Sequence, residues 1–350
     1  MGINIIKVIL PSVVAFIVGI LFTPILTHFL YKYKMWKKTS VKITLDGKEA
    51  TISSKLHNDE ERKTPRMGGV VIWMSVLITI FLFLLLSSIF PEFSKLNFLS
   101  RNQTWLPLFT LIAGALGGLA DDYLVCQEPT TIGGGGLSPM KRVLFVGLLG
   151  LIGGYWFYAK LAFTAFSIPF WGTVDFGILI IPLFILFTLA IYSGGIIDGV
   201  DGLSGGVFSA MFTAYAIIAF ANGQYDLSAF CSVVVGGLLA FLWFNIPPAR
   251  FFNSETGMMG LTTSLVVVAF LTNAISELPI IAFLLIVTSA STIIQILSKR
   301  YRNGKKVFLV APLHNHFQAL GWPSYKVTMR YWIVSIVCAV FGVILALIKI

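Results

Sequence analysis

Apolar residues in this chain run on in long uncharged stretches, without the alternation of a half-buried strand or the one-sided stripe of a surface helix. A helix needs about 20 such residues to cross the hydrocarbon core of a bilayer. Ten stretches meet that need, at about 5–30, 67–90, 105–120, 142–161, 176–193, 204–222, 228–246, 258–275, 279–298 and 328–348. The first is read as a retained helix, because no small-residue cleavage site follows it. Only 11% of the residues are charged, against roughly 25% in ordinary globular domains. That excludes a soluble α/β enzyme. Three scattered cysteines (Cys126, Cys231, Cys338) show neither a disulfide framework nor zinc spacing. The expectation is one all-α polytopic membrane domain over 1–350.

The net charge of +10 is unevenly placed. The connections after the first, third, fifth, seventh and ninth stretches, with the first turns that follow them, hold 20 of the 25 Lys and Arg residues. Basic residues favour the cytoplasmic side, so loops 31–66, 121–141, 194–203, 247–257 and 299–327 are assigned there and both termini outside. Eleven of the 15 acids fall on that same side, leaving Glu92, Asp175, Asp226 and Glu277 opposite. With no long soluble segment, chemistry must be assembled from loops and helix ends at the inner membrane face. In the first loop, Val41-Lys-Ile-Thr-Leu-Asp-Gly-Lys-Glu-Ala-Thr-Ile52 sets alternating runs about Asp46-Gly47, which predicts a small β-hairpin. Four glycines at 133–136 predict a loop, and Ser138-Pro139 an N-cap and first helical residue.

Four polar constellations stand at this face. Asp121-Asp122 follow directly on an apolar run, where two carboxylates repel unless a cation or donors share the site. Asp198 and Asp201 are three apart, a spacing that shares a helix face, each followed by Gly, in a loop without Lys or Arg. Asn245-Ile-Pro-Pro-Ala-Arg-Phe-Phe-Asn-Ser-Glu-Thr-Gly257 carries Phe252 and Glu255. Pro312-Leu-His-Asn-His-Phe317 places His314 and His316 about Asn315, with Lys305, Lys306 and Lys326 nearby. Each has a plainer alternative: boundary charges, a turn that caps a helix, an acid complementing a helix dipole, a polar loop. Together they give carboxylates from three loops, two histidines and several cations on one face. That mixture suits Mg²⁺-assisted phosphoryl transfer to or from a lipid, since carboxylates hold Mg²⁺ while cations offset phosphate charge. No P-loop or Rossmann fingerprint is present, and nothing points to nucleic acid.

Asp121-Asp122-Tyr123-Leu124, Asp198-Gly-x-Asp201-Gly and Pro312-Leu-His-x-His-Phe317 resemble the polyprenyl-phosphate N-acetylhexosamine-1-phosphate transferases. Within that superfamily the chain is most similar to the phospho-N-acetylmuramoyl-pentapeptide transferase family. Thr64-Pro-x-Met-Gly-Gly69, Gly136-Leu-Ser138, Phe241-Leu-Trp-Phe-Asn-x-Pro-Pro-Ala249 and Gly321-Trp-Pro-x-x-Lys-Val-x-x-Arg-Tyr-Trp-Ile333 add to the likeness. The resemblance implies ten spans, a homodimer and a requirement for Mg²⁺ in the bacterial inner membrane. It implies attack by undecaprenyl phosphate on UDP-N-acetylmuramoyl-pentapeptide, giving UMP and lipid I. Carried over by position, the catalytic set is Asp121 (the family's candidate base), Asp122, Asp198, His314 and His316. The metal set is Asp122, Asp198 and Glu255. The substrate-binding set is Lys63, Lys141, Asp201, Phe252 and Asn315. The chain departs from the family pattern in several places. Gly195 stands for an Asn, Glu255 for a metal-binding Asp, Asn315 for the middle of three histidines, and Val125 for a Lys. The basic residue before the Thr-Pro motif is also displaced, with Arg62 and Lys63 as candidates.

Two other functions use the same residues: a transferase of N-acetylglucosamine-1-phosphate, and a silent lipid- or nucleotide-binding homologue, which Gly195 and Glu255 motivate. A transporter fits less well, because the acids lie at one face and not at mid-membrane.

Overall fold

The computed structural model describes residues 2–37, 63–127 and 135–348. The hairpin expected at 41–52 lies outside the described residues. Among the described residues twelve α-helices follow in order: α1 (Gly2–Lys32), α2 (Val70–Ile89), α3 (Trp105–Gln127), α4 (Pro139–Leu161), α5 (Ile180–Ser193), α6 (Leu203–Ala221), α7 (Tyr225–Asn245), α8 (Ser254–Leu271), α9 (Leu278–Ile281), α10 (Phe283–Tyr301), α11 (Leu313–Ala319) and α12 (Ser324–Ile348). All but α9 and α11 belong to ten segments long and apolar enough to cross a membrane. Alternate crossings bring the connections after α1, α3, α5, α7 and α10 to one face of the bundle.

The ends of several helices differ from the apolar runs. α3 does not stop at residue 120 but carries Asp121 and Asp122 within its last two turns. α8 begins at Ser254, so Glu255 lies in its first turn, where the N-terminal dipole favours a carboxylate. The ninth stretch is broken at Ala282 into a single turn, α9, and α10. Ser138 and Pro139 do open α4, Ser138 at the N-cap without a side-chain bond and Pro139 as the first helical residue. The all-α expectation needs one addition. Ala165–Ile168 (β1) and Gly172–Asp175 (β2) pair antiparallel on the face away from the carboxylates. Ser167 ties this hairpin to the α8–α9 connection through Asn273 and Ser276.

Hydroxyl groups inside the bundle bond back to carbonyls one turn earlier, as at Thr23, Ser75, Thr188, Thr262 and Thr288. Without water, that is the nearest acceptor each can find. α8 is the axis of the bundle: 89% of its apolar window is buried, against 22% for α1. α3 lies directly on it through small residues. A Cβ on Gly114 would meet the Met259 carbonyl at 2.7 Å, and one on Gly118 would meet the Glu255 carbonyl at 2.0 Å. This small-x-x-x-small stripe lets the two backbones approach as lipid-embedded helices do. It sets Asp121 and Asp122, one turn beyond Gly118, beside the start of α8.

Candidate active site

Asp121 and Asp122 are both fully buried, and each is met by its own arginine. Arg66 reaches Oδ1 of Asp122 with Nε at 3.0 Å and Nη2 at 2.9 Å. Thr256 donates to Oδ2 of the same carboxylate from its backbone N–H at 2.9 Å and its hydroxyl at 2.7 Å. Arg142, in the first turn of α4, donates from Nε to Asp121 Oδ1 at 3.0 Å and sets Nη2 3.0 Å from Oδ2. The Leu137 N–H adds a 2.7 Å bond to Oδ1. That bond depends on Gly136, whose φ of +77° is closed to most side chains and whose Cβ would lie 2.8 Å from the same oxygen. The Gly136-Leu-Ser138 motif is therefore a cradle for Asp121.

Glu255 shares Arg142, with Nη1 3.4 Å from Oε1, and accepts a 3.3 Å bond at Oε2 from the Tyr192 hydroxyl. Asp198 follows a 3-10 turn, Gly194–Ile197. It accepts from Ser204 Oγ at 2.7 Å and from the Ser254 N–H at 2.7 Å. Burial pushes its carboxyl above the usual carboxylate range, and these two donors hold it part of the way back. Asp122, Glu255 and Asp198 thus engage three consecutive residues, Thr256, Glu255 itself and Ser254, at the N-terminus of α8. Arg142 binds Asp121 into the same group.

Asp201 goes elsewhere. The turn at Asp198–Gly202 is not helical, so the two aspartates do not share a face. Asp201 Oδ2 accepts from the Ala249 N–H at 3.0 Å. Its carbonyl accepts from Thr328 at 2.9 Å, and Trp332 donates to the Gly202 carbonyl at 3.0 Å. Asn245 bridges the Gly202 N–H and the Phe251 carbonyl. Asp201 therefore braces the foot of the 246–253 loop against α12. Phe252 joins that loop to the Thr64–Gly69 motif through its backbone, donating to Pro65 and accepting from Gly68 at 2.9 and 2.8 Å.

His314 is buried on α11 and packs on the Asp198 turn; a Cβ on Gly199 would fall 2.5 Å from its Nε2. Asn315 Oδ1 is buried and accepts no hydrogen bond. His316 is turned aside, its Nδ1 accepting from the Leu309 N–H at 3.2 Å. Lys63 and Lys141 are exposed; the cations on the carboxylates are Arg66 and Arg142. Both signals stood in the sequence, since Arg66 is the open position of Thr64-Pro-x-Met-Gly-Gly69 and Arg142 neighbours Lys141. Tyr192 carried none, being one polar group in an apolar run. Gly195 leaves room for a side chain, with Met258 at ordinary contact distance. Val125 is buried against Gly136.

Among the described residues, no three His, Cys, Asp or Glu side chains form a ready-made metal cage. Mg²⁺ rarely needs one: it keeps waters and takes one or two carboxylates together with substrate phosphates. The donor set here is all hard oxygen, and Asp121 Oδ2 faces Arg142 without a hydrogen bond. Asp122, Asp198 and Glu255 are the acids that could hold such an ion, once it displaces the donors now on their oxygens: Arg66 and Thr256 on Asp122, Ser204 and Ser254 on Asp198, Arg142 and Tyr192 on Glu255.

The family model for glycosyl transferase family 4 matches residues 104–273, the span from α3 to the α8–α9 connection. The chain is 32% identical over 334 residues to a phospho-N-acetylmuramoyl-pentapeptide-transferase of Anoxybacillus flavithermus, covering 94% of each. Proteins of the same description from Geobacillus sp. and Listeria monocytogenes are 30% and 33% identical, over 96% and 94% of this chain and 96% and 95% of theirs.

Proposed function

The chain belongs to the family of phospho-N-acetylmuramoyl-pentapeptide transferases, enzymes of the phosphotransferase class, and from that membership we propose that it carries phospho-N-acetylmuramoyl-pentapeptide from UDP to undecaprenyl phosphate. An oxygen of the lipid phosphate attacks the sugar-linked phosphorus. The bond from that phosphorus to the bridging oxygen breaks, and the oxygen leaves with UMP. The product is lipid I, the pyrophosphate-linked intermediate of peptidoglycan synthesis. In this proposal the enzyme is a homodimer in the bacterial inner membrane, with its site on the cytoplasmic side.

One observation carries the reading: acids from α3, the α5–α6 turn and α8 gather on Ser254–Thr256, with two arginines set among them. Two anionic substrates must meet here. The lipid phosphate has a second pKa near 6, so much of it is already dianionic at neutral pH. Positioning then outweighs proton removal. Asp121, bonded to Arg142 at Oδ1 with Oδ2 3.0 Å from its Nη2, would take any remaining proton. Arg66 uses Nε and Nη2 on Asp122, which leaves Nη1 for a phosphate oxygen. His314, packed against the Asp198 turn from α11, would donate to the donor's phosphate. Mg²⁺ held by Asp122, Asp198 and Glu255 would add positive charge where the pyrophosphate gains negative charge.

The test is UMP release by purified protein supplied with polyprenyl phosphate and either UDP-N-acetylmuramoyl-pentapeptide or UDP-N-acetylglucosamine, with and without Mg²⁺. Release with the first donor alone, and only with Mg²⁺, is expected. Release with the second donor alone would move the chain to the sister activity. Nucleotide binding without release would mark a silent homologue.

A further inference from the structure

Away from the carboxylates, the same face holds a groove of about 670 Å³ between the last two turns of α1 and Arg250. Its walls are Pro24, Thr27, His28, Tyr31, Lys32 and Arg250. Two are cations, a third is an imidazole, and none of the lining residues among those described is a carboxylate. The groove is held open by its own bonds. Tyr31 Oη donates to the Arg250 carbonyl at 3.0 Å, and the Arg250 N–H donates to Phe244 at 2.9 Å. The guanidinium itself rests 5.7 Å over the Phe244 ring and makes no ion pair among the described residues. One turn back along α1, Leu21 and Ile25 are 68% and 56% exposed, an apolar wall on a helix that presents most of its surface to lipid. Tyr31 packs against Trp36, and Lys32 Nζ lies 5.8 Å over the Tyr33 ring, aromatic types that mark a membrane–water boundary.

We propose that this groove binds the phosphate headgroup of an anionic phospholipid, with His28, Lys32 and Arg250 on the phosphate and the acyl chains along Leu21 and Ile25. Basic pockets between helices at a membrane surface recognise anionic headgroups in this way. The volume lies within the roughly 300–1,000 Å³ of small-molecule sites and exceeds what a bare phosphate ion fills. A greasy wall continuous with a cationic end matches a lipid and not a soluble anion. The site is separate from the transfer chemistry, although Arg250 precedes by five residues the Glu255 that opens α8.

The test uses the full chain, purified into nanodiscs of phosphatidylcholine with a minor share of phosphatidylglycerol, and counts retained lipids by native mass spectrometry. Wild-type protein should keep phosphatidylglycerol in preference to phosphatidylcholine. Lys32→Gln with Arg250→Gln should lower that preference by about 30-fold, the weight of two basic residues at an anionic headgroup. Lys305→Gln with Lys306→Gln removes the same charge from the same face outside the groove and should leave retention unchanged. Should the double variant fold poorly, Lys32→Gln alone should lower retention about 5-fold. Equal retention in the groove variant, or equal loss in the control pair, would overturn the proposal. So would displacement of the lipid by millimolar inorganic phosphate, which would make the groove a site for a soluble anion. The readout is bound lipid, so a failure here leaves the transferase reading where it stands.

Discussion

Asp121 and Asp122 are adjacent in sequence yet belong to different arginines, because one helical step turns a side chain by about 100°. Each carboxylate is buried and each guanidinium keeps about a quarter of its side chain in contact with solvent (27% for Arg66, 21% for Arg142). Asp122→Asn keeps the acceptor for Thr256 but removes the charge facing Arg66. Transferase turnover should fall by at least about 100-fold, the loss typical of one preorganised electrostatic contact. Thermal stability should fall by only about 1–2 kcal/mol, since the exposed part of Arg66 can turn to water. Near-normal turnover in the folded variant would remove Asp122 from the site. Glu255→Asp shortens the acid by one methylene, so the contacts to Tyr192 and Arg142, already 3.3 and 3.4 Å, should break. If this acid holds Mg²⁺, metal-dependent activity should stay level or rise; a metal titration of initial rate reads it directly. Complete loss with unchanged metal affinity would assign Glu255 to spacing. At this scale the sequence was informative about acids and poor about their partners. Asp121, Asp122, Asp198 and Glu255 stood out as charges beside apolar runs. Arg66 and Arg142 were visible as residues, but only the fold chooses between them and their neighbours Lys63 and Lys141.

The elements were legible where composition alone decides and illegible where distant contacts do. Ten apolar runs predicted ten spans, because a bilayer admits no other arrangement of such segments. The end of α3 was misplaced because nothing local says that two aspartates can remain helical; Arg66, Arg142 and Thr256 permit it, and they come from 56, 21 and 134 residues away. The helical face expected for Asp198 and Asp201 gave way to a 3-10 turn and a left-handed Gly202 with φ of +74°. The β1–β2 hairpin was hidden by the apolar residues at its tip, Phe170 and Trp171. What the elements do achieve is the contact of α3 with α8, and Gly118 is its tightest point. Gly118→Ala would drive a methyl group into the Glu255 carbonyl 2.0 Å away, so the helices must part and the Asp122–Thr256 bonds must stretch. Activity should be lost together with several degrees of melting temperature. Gly147→Ala, in α4 with nothing within 4 Å, is the control. It should be neutral or stabilising by about 0.5–1 kcal/mol through helix propensity. Equal melting temperatures for the two variants would show that α3 and α8 tolerate a wider spacing.

Across the whole molecule, the acids that gather at one face are an unfavourable arrangement until cations meet them, and this links stability to pH and to metal. Asp198 shows the sign. Burial raises its folded carboxyl above the ordinary value, which is about 3.9 in the unfolded chain. The folded state then holds the proton more tightly than the unfolded state. The resulting stabilisation is full below the unfolded value and is lost as pH rises through the folded one. In detergent, with chelator present, wild-type protein should lose stability relative to Asp198→Asn across that window and run parallel to it above. The asparagine has no charge to desolvate, so the difference between the two melting curves isolates this one group from the other acids. Mg²⁺ should act in the opposite direction. A cation that binds the ionised folded site but not the unfolded chain stabilises by mass action, and it competes with the proton. Added Mg²⁺ should therefore raise the wild-type melting temperature most above the window and least below it. In Asp198→Asn the metal effect should be smaller above the window and equal below it. A pH-independent difference between wild type and Asp198→Asn, with an equal Mg²⁺ effect in both, would show that Asp198 is held by Ser204 and Ser254 for structure and takes no part in binding the ion.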